Sequence, residues 1–321
     1  MQYSKKNTFR FFPFDEKTIE DYCQIRISET KVGQKIARDQ NEHVKYVILG
    51  IEESIGPMAN FGLRGAENAF EAFIRFFLNM QSHEQFTGEN IYIAGRIRDI
   101  SHTETIAEAK EKVAELDAFV ENIIEEVLLP HQVLIVIGGG HNNALPIMKY
   151  ASKKRRLHVV NVDPHADCRV VEGRHSGNSF SIALENNWIE RYTVLGLHEA
   201  YNNHYIRAFL QQNKCMHTFY EEYLVGKRNL YADLEAIFDF TDDELFGVEI
   251  DMDSIAGMPS SAFTTSGWRL DEIRTFCIKL SSYKDRIAYL HLSEAAPQND
   301  FEKKIVGKSL SYLVRDFLRE E

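Results

Sequence analysis

Six residues able to hold a metal ion stand at the ends of three separate apolar runs. His141 follows Val-Leu-Ile-Val-Ile and three glycines. Asp163, His165 and Asp167 follow Leu-His-Val-Val-Asn-Val, and Asp251 and Asp253 follow Leu-Phe-Gly-Val-Glu-Ile. In an extended segment residues two apart point the same way, so Asp163, His165 and Asp167 can converge on one face, and Asp251 and Asp253 share that geometry. Four carboxylates and two imidazoles gathered at one edge would repel and titrate abnormally unless cations neutralised them. Two divalent ions would balance the four negative charges. The set has no thiolate and too many oxygens for a closed structural zinc site, and oxygen-rich ligation with two imidazoles suits Mn2+. Two such ions roughly 3.5–4 Å apart would ionise a shared water near neutral pH, which makes hydrolysis the expected chemistry. Singly the pieces say less. Gly-Gly-Gly-His also suits a tight strand-to-helix connection and lacks the Lys-Ser/Thr of a phosphate loop, and an Asp pair is usually a solvated turn.

The runs that carry these residues read as strands covered on both faces, being short, aliphatic and bounded by Gly or charged residues. Open parallel sheets bind ligands beyond the carboxyl ends of their strands, where these six residues fall. Strands are expected at 44–51, 91–95, 133–137, 157–162, 193–197, 245–250 and 287–292. Helical stretches are expected near 66–81, 103–127, 143–154, 179–190, 204–213, 229–238, 270–281 and 309–319. Such alternation predicts a three-layer α/β/α sandwich with a mainly parallel central sheet, spanning 1–321 as one domain, with 1–43 as an N-terminal arm. In the 103–127 helix, Ile106, Ala109, Val113, Leu116, Val120, Ile123 and Val127 are spaced alternately three and four apart. That pattern fits a helix lying on the sheet and also a short coiled-coil seam.

Composition excludes other classes. The hydrophobic fraction of 44% supports a sizeable core, while the longest unbroken apolar run, Val133 to Ile137, is far too short to cross a bilayer. A net charge of −11 argues against a nucleic-acid surface. The amino terminus lacks the long apolar segment of a secretory signal, and the four cysteines (Cys23, Cys168, Cys215, Cys277) are scattered without a Cys-x-x-Cys spacing. Reduced thiols in a cytoplasmic protein are expected, with Cys168 singled out by its place beside Asp167.

The motifs resemble those of the ureohydrolase superfamily, which contains arginases, agmatinases and formimidoylglutamases, over about Val44 to Leu318. Asp-Pro-His-Ala-Asp matches its Asp-x-His-x-Asp block, Ile-Asp-Met-Asp its Asp-x-Asp block, and Gly-Gly-Gly-His its first histidine block. The resemblance implies an arginase-like fold and two Mn2+ per chain. One ion would be held by His141, Asp163, Asp167 and Asp251, the other by His165, Asp163, Asp251 and Asp253. It further implies that His175, in Arg-His-Ser-Gly-Asn-Ser-Phe, shuttles protons to the leaving amine, and that Glu294, in Leu-His-Leu-Ser-Glu-Ala-Ala-Pro, pairs with a cationic substrate. Gly-Gly-Gly-His, the Arg169 that follows His-Ala-Asp-Cys, and His-Ser-Gly-Asn-Ser-Phe lean toward the formimidoylglutamase branch. Asn142, Glu249 and the stretch Ser-Ile-Ala-Gly-Met-Pro-Ser-Ser depart from the family pattern around the pocket.

The expected reaction is hydrolysis of a linear C–N bond in an amidine or guanidine, with N-formimidoyl-L-glutamate giving glutamate and formamide. Arginine, agmatine or a guanidino acid is the alternative. Arg64, Asn142, Asn143, Arg174 and Asn178 lie in loops beyond the strands and are candidates to bind the substrate carboxylates. Each also fits a solvated or loop-stabilising role. Two other classes are compatible with the residues: a single-zinc amide hydrolase like the histone deacetylases, and a non-catalytic protein stapled by metal. Ureohydrolases commonly form trimers or hexamers, so a homo-oligomer is compatible with the resemblance.

Overall fold

Strands and helices alternate along the chain in this computed structural model, which describes residues 8–240 and 244–320. The strands are β1 (Phe9–Pro13), β2 (Tyr46–Glu52), β3 (Ile91–Asp99), β4 (Val133–Ile137), β5 (Leu157–Val162), β6 (Arg191–Leu197), β7 (Met216–Phe219), β8 (Leu245–Asp251) and β9 (Ile287–Ser293). They form a nine-stranded sheet in the order β1-β3-β2-β4-β9-β8-β5-β6-β7. β1 pairs antiparallel with β3, and the other neighbouring pairs are parallel. The helices in chain order are α1 (Glu16–Tyr22), α2 (Val32–Lys35), α3 (Ile55–Ala59), α4 (Ala69–Phe77), α5 (Ile106–Val127), α6 (Ala144–Ser152), α7 (Ser179–Glu185), α8 (His204–Gln212), α9 (Tyr220–Leu224), α10 (Leu230–Phe240), α11 (Leu270–Leu280) and α12 (Asp300–Leu318).

Two cores flank the sheet. α4, α10, α11 and α12 cover one face through Phe70, Phe73, Leu234, Ile273, Leu310 and Val314, and α3, α5, α6, α7 and α8 cover the other. The 103–127 pattern therefore lies on the sheet: Ala109, Val113, Leu116, Val120, Ile123 and Ile124 are buried in the second core. Thr105 starts α5 by accepting from the Glu108 N–H, while the Glu108 carboxylate accepts from the Thr105 N–H at 3.2 Å, a reciprocal cap that leaves neither donor orphaned.

The alternation of side chains sets the chemistry of each face. Val160, Val162, Val248, Ile250, Leu290 and Leu292 point into the α4/α11/α12 core, so that face is apolar toward the carboxyl ends, with His158 and Thr193 near the start of β5 and β6 as its polar pair. The opposite face turns polar toward the carboxyl ends, with Asn161 in β5, Glu249 and Asp251 in β8, and His291 and Ser293 in β9, all buried. Register aligns Asn161 with Glu249, Glu249 with His291, and Asp251 with Ser293.

The turn after β4 is fixed from β2. Gly138 and Gly139 take φ of 87° and 68°, the left-handed region in which a side chain would be strained. The Glu53 carboxylate, 1% exposed, then accepts from the Gly140 N–H at 2.8 Å, the Gly56 N–H at 3.0 Å and the Asn143 amide at 2.7 Å. That brace delivers His141 to the sheet edge.

Several elements differ from the sequence reading: α1 and α2 lie within the expected N-terminal arm, and the five-residue helices α3 and α9 stand where connecting segments were expected. β1 and β7 are edge strands of only five and four residues, and in β1 Arg10 interrupts the phenylalanines; Pro13 closes β1 where no further partner needs an N–H. α12 begins at Asp300 rather than near 309, because Asn299 caps it by accepting from the Phe301 and Glu302 N–H groups. Among the described residues no helix is long and apolar enough to cross a membrane.

Glu53→Ala leaves three buried donors without an acceptor and should lower unfolding stability by about 3 kcal/mol, read from urea denaturation. A second expectation concerns pH. His158 at the start of β5 is pushed down to about 3 by burial and by Arg191, its Nε2 lying 2.8 Å from the Thr193 hydroxyl. The unfolded chain binds this proton near pH 6.5 and the folded chain does not until about pH 3, so stability is full above 6.5 and falls as pH drops through that window. The slope from this group is about 1.4 kcal/mol per pH unit, and in His158→Gln the acid-side slope should be shallower by about one proton.

Candidate metal centre

The carboxyl ends of β4, β5 and β8 bring four of the six expected ligands to one point. His141 Nδ1 lies 3.2 Å from Asp163 Oδ2, 3.0 Å from Asp167 Oδ2 and 3.2 Å from Asp251 Oδ2. One ligand atom from each of these four residues falls within 4.8 Å of the others. A single ring nitrogen has at most one hydrogen to offer, so it cannot satisfy three carboxylate oxygens. Neither nitrogen of the buried His141 ring makes a regular hydrogen bond among the described residues. Burial and the neighbouring Asp253 and Asp163 push the Asp251 carboxyl well above the usual range, and burial with Asp163 raises Asp167. Asp163 goes the other way: burial opposes its charge, but His141 and His165 together hold it low. Charges of one sign held this close fit a divalent cation among them.

The two acidic motifs are built alike. The His165 N–H donates to Asp163 Oδ1 at 2.7 Å, and the Asp253 N–H donates to Asp251 Oδ1 at 2.7 Å. In each case the backbone two residues on occupies one oxygen and leaves Oδ2 facing His141. His165 and Asp253 border this tetrad. His165 Nδ1 is 3.5 Å from Asp163 Oδ1, and its ring stacks on Tyr201 at 5.2 Å between centroids, which stacks in turn on His198 at 5.0 Å. Asp253 accepts from the Ala262 N–H at 3.2 Å, and burial pushes it up to about 6.

His165, Asp167, Asp251 and Asp253 open onto a cavity of about 390 Å3, walled further by Asn60, Arg169, Ser176, Tyr201, Ser261 and Glu294. Glu294 has a φ of 63°, a conformation that costs a non-glycine residue about 1 kcal/mol or more. Its Oε1 accepts the His141 N–H at 2.5 Å and its Oε2 accepts the Ser261 hydroxyl, while burial and Asp253 push it up to about 8. A larger cavity, about 590 Å3, lies at the opposite end of the sheet beside Tyr46, Val133, Leu245 and Ile287, and carries no comparable ligand set.

The residues expected to hold substrate carboxylates stand behind the wall. Arg174 is buried and fully engaged, with Nε 2.7 Å from Asp117 Oδ2 and donations to Asn178 Oδ1 at 2.7 Å and to the Asn142 carbonyl at 2.8 Å. Asn178 also donates to the Gly173 carbonyl, Asn143 donates to Glu53, and Asn142 is buried against Gly56. Arg64 donates to the Thr103 carbonyl. None of these five lines the cavity. His175 is buried too; its Nδ1 accepts from the Gly177 N–H at 3.1 Å, and Ser176, not His175, reaches the wall. Burial and nearby Lys110, Arg169 and Arg174 lower His175 to about 4, so the ring is neutral at neutral pH. Cys168 is buried, and its thiol is pushed well above the ordinary value by burial, which leaves it unreactive. Glu53, Asn60, Tyr201 and Ser261 carried no expectation from sequence; for Glu53 the only signal is a second glutamate directly after an apolar run.

Residues 44–318 match the Arginase family. The chain is 24% identical over 304 residues to a formimidoylglutamase of Vibrio parahaemolyticus, covering 87% of this chain and 84% of that protein. It is 23% identical over 322 residues to one from Staphylococcus aureus, covering 98% and 95%. In fold it resembles the Trypanosoma cruzi formiminoglutamase crystallised with Mn2+, with a TM-score of 0.72 at 22% identity over 91% of this chain and 99% of that one. It also resembles the formimidoylglutamase of Bacillus subtilis, with a TM-score of 0.75 at 16% identity over 92% and 93%. With its three ligand-bearing strand ends and its mostly parallel sheet, the chain is a hydrolase of linear C–N bonds and belongs to the Arginase family.

Proposed function

We propose that the chain is a binuclear manganese hydrolase that converts N-formimidoyl-L-glutamate and water to glutamate and formamide. The convergence of Asp163, Asp167 and Asp251 on His141 carries this reading, and the names of relatives matched over most of the chain support the substrate. His141, Asp163, Asp167 and Asp251 would hold one ion, and His165, Asp163, Asp251 and Asp253 the other. When bound, the pair supplies a hydroxide at neutral pH and charge stabilisation for the attacked carbon.

The chain's own residues do the rest. Glu294 stands on the cavity wall, oriented by Ser261 and by the His141 N–H. Burial and the charge of Asp253 raise it, so a cation that offsets Asp253 would favour its carboxylate form, which would pair with the cationic formimino group. The substrate carboxylates need a cation that faces the cavity. Arg169 fits, since it lines the wall with its Nη1 donating to Asn60 Oδ1 at 3.0 Å. His175, neutral and behind Ser176, is read as fixing the Ser176–Asn178 turn rather than as a standing acid. Four unpaired cysteines suit a cytoplasmic setting.

Protein loaded with Mn2+ should release formamide from N-formimidoyl-L-glutamate. Inactivity there with turnover of arginine, agmatine or a guanidino acid would move the chain to another branch. One metal per chain by elemental analysis would favour the single-ion reading. Asp251→Asn should cost more than about 100-fold in turnover, since loss of even an outer partner of a metal ligand costs about 10–100-fold. Arg169→Met should raise KM for the dicarboxylate about tenfold or more while leaving kcat nearly unchanged.

A further inference from the structure

Directly beneath the metal ligands, and on the same face of the sheet, a buried carboxylate sits between two imidazoles. Strand register sets Glu249 opposite His291, two residues before Asp251. Both side chains are fully buried. His291 Nδ1 lies 2.7 Å from Glu249 Oε2, and the same oxygen lies 3.4 Å from His141 Nε2. The His141 and His291 rings are 6.0 Å apart between centroids. Below them Tyr289 closes the floor. Its ring lies so close over Gly247 that a Cβ there would be 2.4 Å from the ring carbons. No lysine or arginine pairs with Glu249 among the described residues.

A buried carboxylate without a cation needs hydrogen-bond donors; the two imidazoles and the Tyr289 hydroxyl are the ones beside Glu249. An imidazole that offers its Nδ1 lone pair to a metal must carry its hydrogen on Nε2, and an acceptor at Nε2 selects that tautomer and fixes the plane of the ring. In His141, Nδ1 faces the three aspartates and Nε2 faces Glu249. We infer that Glu249, itself held by His291, is a positioning residue that locks His141 as an Nδ1 metal ligand. His291 acts on the metal only through Glu249.

The inference rests on reading His141 as a ligand, and the test separates the two. Mn2+ binding to metal-stripped full-length protein is measured by calorimetry, alongside thermal unfolding of the metal-free forms. The wild type should bind two ions. Glu249→Gln, which keeps shape but loses the acceptor charge, should weaken one site about 10–100-fold and leave the other within about twofold. Metal-free unfolding should stay at the wild-type temperature. His291→Gln, which retains an N–H donor, should show a smaller loss at the same site, and His291→Phe a larger one. Two sites of unchanged affinity in Glu249→Gln, equal loss at both sites, or a drop in metal-free stability that accounts for the loss would overturn the assignment. A wild type that binds no Mn2+ would overturn the metal reading as well.

Discussion

The carboxyl edge of the sheet gathers more negative charge than the chain's own cations can balance, and the surrounding structure is organised around that imbalance. Asp163, Asp167 and Asp251 face one imidazole, and no lysine or arginine reaches them among the described residues. Left in water such a group would disperse. Here strand ends hold it, and backbone N–H groups from His165 and Asp253 each tie down one oxygen. The folding energy that tolerates this comes from elsewhere, from the apolar cores on the two faces of the sheet.

Rigidity and variability are divided between different parts of the chain. Metal-facing residues sit at strand ends, whose positions the whole sheet determines. The cavity wall comes from connecting segments around Asn60, Arg169, Tyr201 and Ser261. These segments also touch the candidate ligands, Tyr201 by stacking on His165 and Ser261 by holding the Glu294 that accepts the His141 N–H.

The residues that converge at the strand ends were legible because each follows an apolar run, and β4 and β5 fall at the expected residues for the same reason. The wall was not. Arg174 and Asn178 read as loop polar groups free to meet a substrate, yet Asp117, from the middle of α5, claims Arg174, and no local pattern announces a partner so distant in sequence. Glu53 is concealed similarly, since its three donors come from two separate turns. Glu249 was visible as a departure from the family pattern, but its meaning depends on strand order: β8 lies beside β9 in the sheet, and only that adjacency puts His291 across from it. Edge strands β1 and β7 were missed because at five and four residues, with Arg10 breaking the first and His217 and Thr218 in the second, neither forms a continuous apolar run.

The side chain of His141 has no exposed surface, whereas that of His165 is 32% exposed. The two imidazoles thus stand at different depths along one path to solvent, with the stacked Tyr201 at its mouth. A reagent that attacks imidazole from solvent would therefore meet His165 and spare His141, so the two rings are distinguishable by chemical modification.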